Sequence, residues 1–258
     1  MAEGHTHGDK MSYQYPDKAD LITLSLVLMK NGNDELLRKA EDILLARAIS
    51  MFRQNRYTTL LDLGCGNGRL TIELSKYFQW VTALEPDGER LAEARKKIAD
   101  NGIENVSFVH SLFQDAGLPD DYFDVVICNQ ILQHVNTRAV EPIIREVHRV
   151  LKSRGVLVMT TSFAKGDEDC YWKVFAAEGK VQAVEITPQE FDGLASGDPG
   201  ILPVHFFSSV SLEMHLQSFR PIEQSIHDNI YPHPLLDTIL YIGEKRVKQS
   251  LGGATSFI

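Results

Sequence analysis

Between Asp34 and Phe52 the apolar residues Leu36, Leu37, Ala40, Ile43, Leu44, Ala48 and Met51 return every three or four positions. That spacing lines one face of a helix, with Asn33 or Asp34 as its cap. A shorter helix is expected over Asp20 to Lys30, stopped by Asn31-Gly32. From Thr58 the rhythm changes to short apolar runs separated by helical stretches. Strands are expected at Thr58 to Leu63, Trp80 to Leu84, Val106 to His110, Phe123 to Cys128 and Gly155 to Thr161. Helices are expected at Arg69 to Phe78, at Gly88 to Asp100 behind an Asp87 cap, and at Pro142 to Leu151. Pro142 suits a first helical position, which makes Thr137 to Val140 a separate turn. Strands that alternate with helices and read as continuous apolar runs predict a doubly wound, mostly parallel sheet covered on both faces.

The alternation stops after Ser162. Residues 165–206 carry two expected helical stretches, Glu168 to Glu178 and Pro188 to Ala195, then the turn cluster Gly197-Asp198-Pro199-Gly200. Thr187-Pro188-Gln189-Glu190 is a capping box with proline at the first helical position. A helix from Ser209 to Phe219 and strands near Ile222 to Ile226 and Leu236 to Gly243 resume the pattern. The expected organisation is an N-terminal helical cap (1–57), a ligand-binding core (58–164), a cap insertion over the active site (165–206), the end of the core sheet (207–244) and a tail (245–258).

Composition narrows the function classes. The 258 residues carry a formal charge of −9, which disfavours sequence-independent nucleic-acid binding and docking on anionic membranes. No apolar run reaches the roughly 20 residues of a membrane span, and Met1 to Lys10 holds no apolar signal core, so a cytoplasmic setting is expected. Cys65, Cys128 and Cys170 are too few and too widely spaced for a disulfide framework or a Cys-x-x-Cys zinc site. No His/Asp/Glu cluster has ligand spacing, so no metal is expected.

The chemistry concentrates after the first strand. Asp62-Leu63-Gly64-Cys65-Gly66-Asn67-Gly68 places glycines between strand and helix, where a ligand can approach backbone at the positive end of a helix. A dinucleotide fingerprint sets its third glycine five residues after the first; Gly68 comes four after Gly64. A carboxylate at Asp62 would repel a pyrophosphate and attract an ammonium group. Glu85 ends the second strand, where a carboxylate accepts ribose hydroxyls. Together they describe a ligand with a ribose and a cationic group but no phosphate, which S-adenosylmethionine fits better than NAD.

With these motifs the sequence resembles the class I S-adenosylmethionine-dependent methyltransferases, and within them the broad group acting on small molecules. The resemblance rests on LLDLGCGNGRL (60–70), VTALEPDGERLAEAR (81–95), LPDDYFDVVICNQILQHV (118–135) and IIREVHRVLKSRGVLVMTT (143–161). It covers Thr58 to Thr161 well, the final helix and strands less well, and the N-terminal region and insertion not at all. It implies a Rossmann-like seven-stranded sheet of order 3-2-1-4-5-7-6 with the last-placed strand antiparallel. It implies that Gly64, Cys65 and Gly66 touch the methionine part of the cofactor, Glu85 the ribose and Pro86 the adenine. Asn129 and Gln130 would line the sulfonium side, and His134 would lie near the transferred methyl. The pattern often has an aspartate where this chain has Leu112. Adenine selectivity then falls to backbone groups, to Ser111, or to Gln114 or Asp115 after a local shift; alternatively Leu112 and Phe113 sandwich the ring.

Methyl transfer from a sulfonium is an in-line displacement, so alignment and water exclusion matter most. His134 is a candidate general base; the alternative is a packing or hydrogen-bonding role beside the cofactor. Tyr13 and Tyr15, ahead of the first helix, and Tyr171, Trp172 and His205 in the insertion are candidate acceptor contacts, or else local packing. An enclosed cap would favour a small-molecule acceptor methylated on oxygen, nitrogen or carbon. A protein or peptide methyltransferase and a non-catalytic cofactor-binding protein are the alternatives. The acceptor and the oligomeric state stay open at this level.

Overall fold

The computed structural model describes residues 33–54, 57–178, 180–194, 201–227 and 236–246. Tyr13, Tyr15, the expected helix over Asp20 to Lys30 and the turn cluster at 197–200 lie outside the described residues.

Helix α1 (Asn33–Gln54) leads into strand β1 (Thr59–Leu63), α2 (Arg69–Leu74), β2 (Trp80–Glu85), α3 (Gly88–Asp100), β3 (Val106–His110), β4 (Phe123–Asn129), α4 (Thr137–Val150) and β5 (Leu151–Ala164). The insertion follows as β6 (Cys170–Ala177), β7 (Lys180–Ile186), α5 (Pro188–Gly193) and β8 (Ile201–Phe206). The chain closes with α6 (Ser209–His215), β9 (Phe219–His227) and β10 (Leu236–Lys245). The main sheet has seven strands in the order β3-β2-β1-β4-β5-β10-β9. The first five run parallel, and β10 is antiparallel to both neighbours. This is the expected Rossmann-like methyltransferase topology.

Alternation along the buried strands sorts their side chains between two layers. Leu61, Leu63, Val126, Leu157 and Met159 meet the apolar face of α4, which buries Ala139, Val140, Ile143, Ile144, Val147 and Val150. Leu60, Val125, Ile127, Val156 and Val158 face the other way, onto Leu70 and Leu74 of α2 and Leu44, Ala48 and Phe52 of α1. Helix α1 is thus part of the core on the sheet's face. That departs from the expected cap for the described part of 1–57: three fully or nearly fully buried side chains tie it to the strands.

Two further departures have local causes. Helix α4 starts at Thr137 and carries Pro142 inside it. Its first turn is held by Asn136, whose side chain accepts from the Arg138 amide, and by Asp192, which accepts from the Thr137 amide at 2.9 Å and hydroxyl at 2.7 Å. Strand β5 starts at Leu151, opposite Phe123, and its ladder resumes only at Val156 opposite Val125. The intervening residues loop out with Arg154 at φ 62°, which explains why only the part from Gly155 reads as strand in the sequence.

The insertion differs most. Glu168 to Glu178 is expected as helix, yet Cys170–Ala177 is the central strand of an antiparallel sheet of order β7-β6-β8. Cys170, Trp172 and Val174 pack with Leu202, Val204 and Phe206 on one face, while Tyr171 and His205, directly paired across the strands, share the other. Tyrosine, tryptophan, valine and phenylalanine favour this pleated environment. The second expected helix forms as α5, with the full capping box between Thr187 and Glu190.

Candidate active site

The carboxyl ends of β1, β2 and β4 converge, and a loop leaves each. After β1, Gly64, Gly66 and Gly68 have φ of 70°, 55° and 82°, a region most residues enter only at a cost. The Gly64 and Cys65 amides both donate to the Leu84 carbonyl, at 2.8 and 3.0 Å, and pin the loop to β2. A Cβ on Gly64 would lie 2.3 Å from Ile131 Cδ1, and one on Gly68 2.9 Å from the Ala94 Cβ. The loop is therefore squeezed between the chain after β4 and helix α3.

Two buried carboxylates flank it. Glu85 is 3% exposed; its Oε2 accepts from the Gly66 amide at 2.9 Å and its Oε1 from the Asp87 amide at 3.0 Å. Burial raises its pKa, against those two amides and Arg90. Asp62 is 2% exposed and accepts from the Thr71 hydroxyl at 2.6 Å. Burial pushes its pKa up to about 6, against the Thr71 bond and helped by the nearby Glu85 charge. The pair is an electronegative floor whose ionisation any cationic group above it would favour. Cys65 is buried and its thiol pushed upward by that burial and by both carboxylates, which removes it as a nucleophile.

On the outer side, His110 Nε2 meets the Pro86 carbonyl at 3.0 Å. Half-buried Pro86, Ser111 and Leu112 border this edge, and the Ser111 hydroxyl donates to the Leu112 carbonyl at 2.8 Å. Phe113, expected to sandwich a ring with Leu112, instead turns into the main core and is 5% exposed. The turn at Phe113–Asp115 points it inward.

After β4 the Asn129 Oδ1 accepts from the Thr160 hydroxyl at 2.6 Å. Gln130 has φ 56° and its amide donates to the Thr160 carbonyl at 3.0 Å. His134 Nδ1 lies 2.8 Å from the Pro203 carbonyl, an acceptor only, so Nδ1 carries the proton. Burial lowers the His134 pKa to about 4, with the Pro203 bond opposing and Arg90 assisting. The ring is neutral near pH 7 and joins the turn after β4 to the insertion.

The insertion residues divide. Tyr171 stacks on His205 with ring centroids 4.4 Å apart; Phe191 and Phe207 close round the same ring. His205 Nε2 donates to Asp169 Oδ2 at 2.7 Å, and Asp169 Oδ1 accepts from the Ser208 amide and hydroxyl, both at 2.8 Å. Asp169 thereby joins the two ends of the insertion. Burial would raise its pKa, but these bonds prevail and hold it at about 2; burial holds the His205 pKa below its usual value. His205, 2% exposed, is thus a buried packing residue, and Trp172 faces the opposite side of the small sheet. Tyr171, Trp172 and His205 cannot line one wall together, because paired and successive strand positions fix their faces.

Sequence reasoning missed Thr71, Ile131, Gln133, Asp169 and Asp192. Thr71, one turn into the helix below Asp62, was the most findable; Asp169 and Asp192 act across 36 or more residues. Among the described residues no group of three or more His, Cys, Asp or Glu could hold a metal. A cavity of about 510 Å³ between α6, β9 and β10 shares no residue with the glycine loop.

The glycine loop and the two buried carboxylates thus lie together at the carboxyl ends of the parallel strands. Residues 60–155 match the model of a methyltransferase domain family. A stretch of 108 residues is 31% identical to the uncharacterized methyltransferase YcgJ of Bacillus subtilis, covering 42% of each chain. Another of 122 residues is 34% identical to the ubiquinone/menaquinone biosynthesis C-methyltransferase UbiE of Vibrio campbellii, covering 46% of each. The matches thus span somewhat under half the length of these curated relatives. Among solved structures, 1,6-didemethyltoxoflavin-N1-methyltransferase of Burkholderia thailandensis, bound to 1,6-didemethyltoxoflavin and S-adenosylhomocysteine, superposes with a TM-score of 0.58 at 19% identity, over 89% of this chain and 88% of that one. Bacillus subtilis YcgJ superposes at 0.57 and 19% identity, over 80% and 99%. Residues 60–155 are thus similar to a methyltransferase domain, and the described sheet shares the fold of these solved structures.

Proposed function

We propose that the protein binds S-adenosylmethionine and passes its methyl group to an oxygen, nitrogen or carbon atom of a small-molecule acceptor. The observation that carries this reading is the pair of buried carboxylates, Asp62 and Glu85, on either side of a glycine loop with three positive φ angles. The residues fit such a ligand. Glu85 has both oxygens fixed by backbone amides, with lone pairs left for ribose hydroxyls. Asp62 supplies charge for the cationic amino-acid end. Gly64, Cys65, Gly66 and Gly68 allow close approach, Pro86, Ser111 and Leu112 border the adenine side, and Asn129 and Gln130 face the amino-acid side.

When bound, the cofactor supplies an electrophilic methyl group, and the protein's part is orientation and exclusion of water. His134 holds its Nδ1 proton on Pro203. Its lowered basicity suits a neutral hydrogen-bonding group better than a strong base. The charge of −9 supports an acceptor that is neither nucleic acid nor an anionic membrane. The free cysteines Cys65, Cys128 and Cys170 support a reducing, cytoplasmic setting. Among the described residues no helix is long and apolar enough to cross a membrane.

Titration calorimetry with S-adenosylhomocysteine and with NADH tests the reading. Binding of the first alone is expected; binding of NADH alone overturns it.

A further inference from the structure

Gln133 has no part in the proposal above, yet it is 1% exposed, an uncommon place for a carboxamide. Its Oε1 accepts from the Thr161 hydroxyl on β5 at 3.0 Å, and its Nε2 donates to Gln130 Oε1 at 2.5 Å. These bonds form a directed relay. Once Thr161 donates to Gln133, the Gln133 amide nitrogen must face Gln130, and Gln130 must answer with its oxygen. The Gln130 Nε2 is left on the far side of the group, buried and with no hydrogen-bond partner.

A buried amide donor without an acceptor is unfavourable and calls for a reason. The backbone adds to the observation. Gln130 stands at φ 56°, held there by its amide bond to the Thr160 carbonyl at 3.0 Å, and strain of this kind gathers where ligands are clamped. Its neighbour Ile131 packs so closely on Gly64 that a Cβ there would lie 2.3 Å away. The orphan donor therefore belongs to the segment that abuts the glycine loop.

We propose that Gln133 is a positioning residue: through the Thr161–Gln133–Gln130 relay it turns the Gln130 carboxamide so that Nε2 donates to a carboxylate oxygen on the amino-acid end of the cofactor. This rests on the cofactor reading above. The chemistry selects that end. Hydroxyl groups need acceptors, which Glu85 provides; an ammonium group needs the charge of Asp62; an anionic carboxylate needs a donor that cannot be mistaken for an acceptor.

The test compares two ligands by titration calorimetry: S-adenosylhomocysteine, and 5′-methylthioadenosine, which keeps the nucleoside and lacks the amino-acid end. Gln133→Leu should weaken S-adenosylhomocysteine about tenfold, the size of one lost hydrogen bond to a charged group, and leave methylthioadenosine within about twofold. Thr161→Val, nearly isosteric and at the far end of the relay, should give the same signature at about threefold, and guards against a Gln133 variant that fails to fold. Equal weakening of both ligands would mean a merely structural role and overturns the inference, as does unchanged S-adenosylhomocysteine binding. Wild-type protein that binds neither ligand overturns the cofactor reading itself and this inference with it.

Discussion

The half of the sheet from β1 to β5 and the insertion from 165 to 206 are built by different logics. In the first, each element is specified close to home. Helix α3 starts at Gly88 because the Asp87 side chain accepts from the Glu89 and Arg90 amides, and it buries Leu91, Ala94 and Ile98 at helical spacing. In the insertion, β6 becomes a strand because β7 and β8 flank it, and the fold of the segment depends on Asp169 reaching His205 and Ser208. Local code sets elements; distant partners decide what an ambiguous run such as Cys170–Ala177 becomes.

The sharpest way to break the locally coded half is at Gly68. A Cβ there meets both the Cβ of Ala94 at 2.9 Å and its backbone Cα at 3.1 Å, at φ +82°. Helix α3 would have to move. Gly68→Val should cost about 3–5 kcal/mol, from left-handed strain and overpacking together, and abolish measurable S-adenosylhomocysteine binding. Urea unfolding with calorimetry checks both; an unfolding midpoint equal to the wild type's would show that the loop has room the structure denies it.

The insertion should fail differently. Asp169→Ala leaves the Ser208 amide and hydroxyl and His205 Nε2 without their acceptor in a buried setting. The expected loss is about 2–4 kcal/mol of stability, while S-adenosylhomocysteine affinity stays within about twofold because no cofactor-side residue is touched. A large drop in affinity would mean that the insertion and the donor site are one cooperative unit, joined through Pro203 and His134.

This contrast also explains what the sequence could reveal. The alternation of strands and helices, the glycine loop, Asp62, Glu85 and the capping box at Thr187 were all legible, since each rests on residues within a few positions or on one βαβ unit; the order of the seven strands came only from the family resemblance. The β character of Cys170–Ala177 was not. Tyr171, Trp172 and Phe175 satisfy a helical spacing nearly as well as a pleated one, and only the cross-strand partners decide. Nor was the early start of α4, whose Thr137 amide is capped by Asp192 from the insertion. Gln133 sits three residues after Gln130 and could have been noticed, but its burial depends on Thr161, 28 positions away.

A smaller effect sharpens the reading of the donor side. Glu85→Ala removes the shared acceptor of the Gly66 and Asp87 amides and the one carboxylate proposed for the ribose. S-adenosylhomocysteine affinity should fall at least about tenfold, the equivalent of one or two charge-assisted hydrogen bonds, while circular dichroism stays that of the folded protein. An unchanged dissociation constant would place the ribose elsewhere.

The smallest expected effect sets the two regions against each other by pH. Asp62 has a pKa raised to about 6 in the folded chain, from an ordinary 3.8, so the folded state prefers it neutral. Its ionisation costs stability fully above about pH 6, and that cost disappears as the pH falls toward 4. Affinity for a ligand with an ammonium group runs the other way, since only the ionised carboxylate attracts it. Asp169 is held down at about 2; its contribution is present above pH 4 and lost only as the pH falls through 2, so this carboxylate adds no slope between 5 and 7. Wild-type S-adenosylhomocysteine affinity should therefore weaken by up to about tenfold from pH 7 to pH 5, as the ionised fraction of a group titrating near 6 falls. Asp62→Asn should flatten most of that slope, leaving the part due to Glu85, whose pKa is also raised. A wild-type affinity constant from pH 7 to pH 5 would detach Asp62 from the ligand's charge and reduce it to a partner for Thr71.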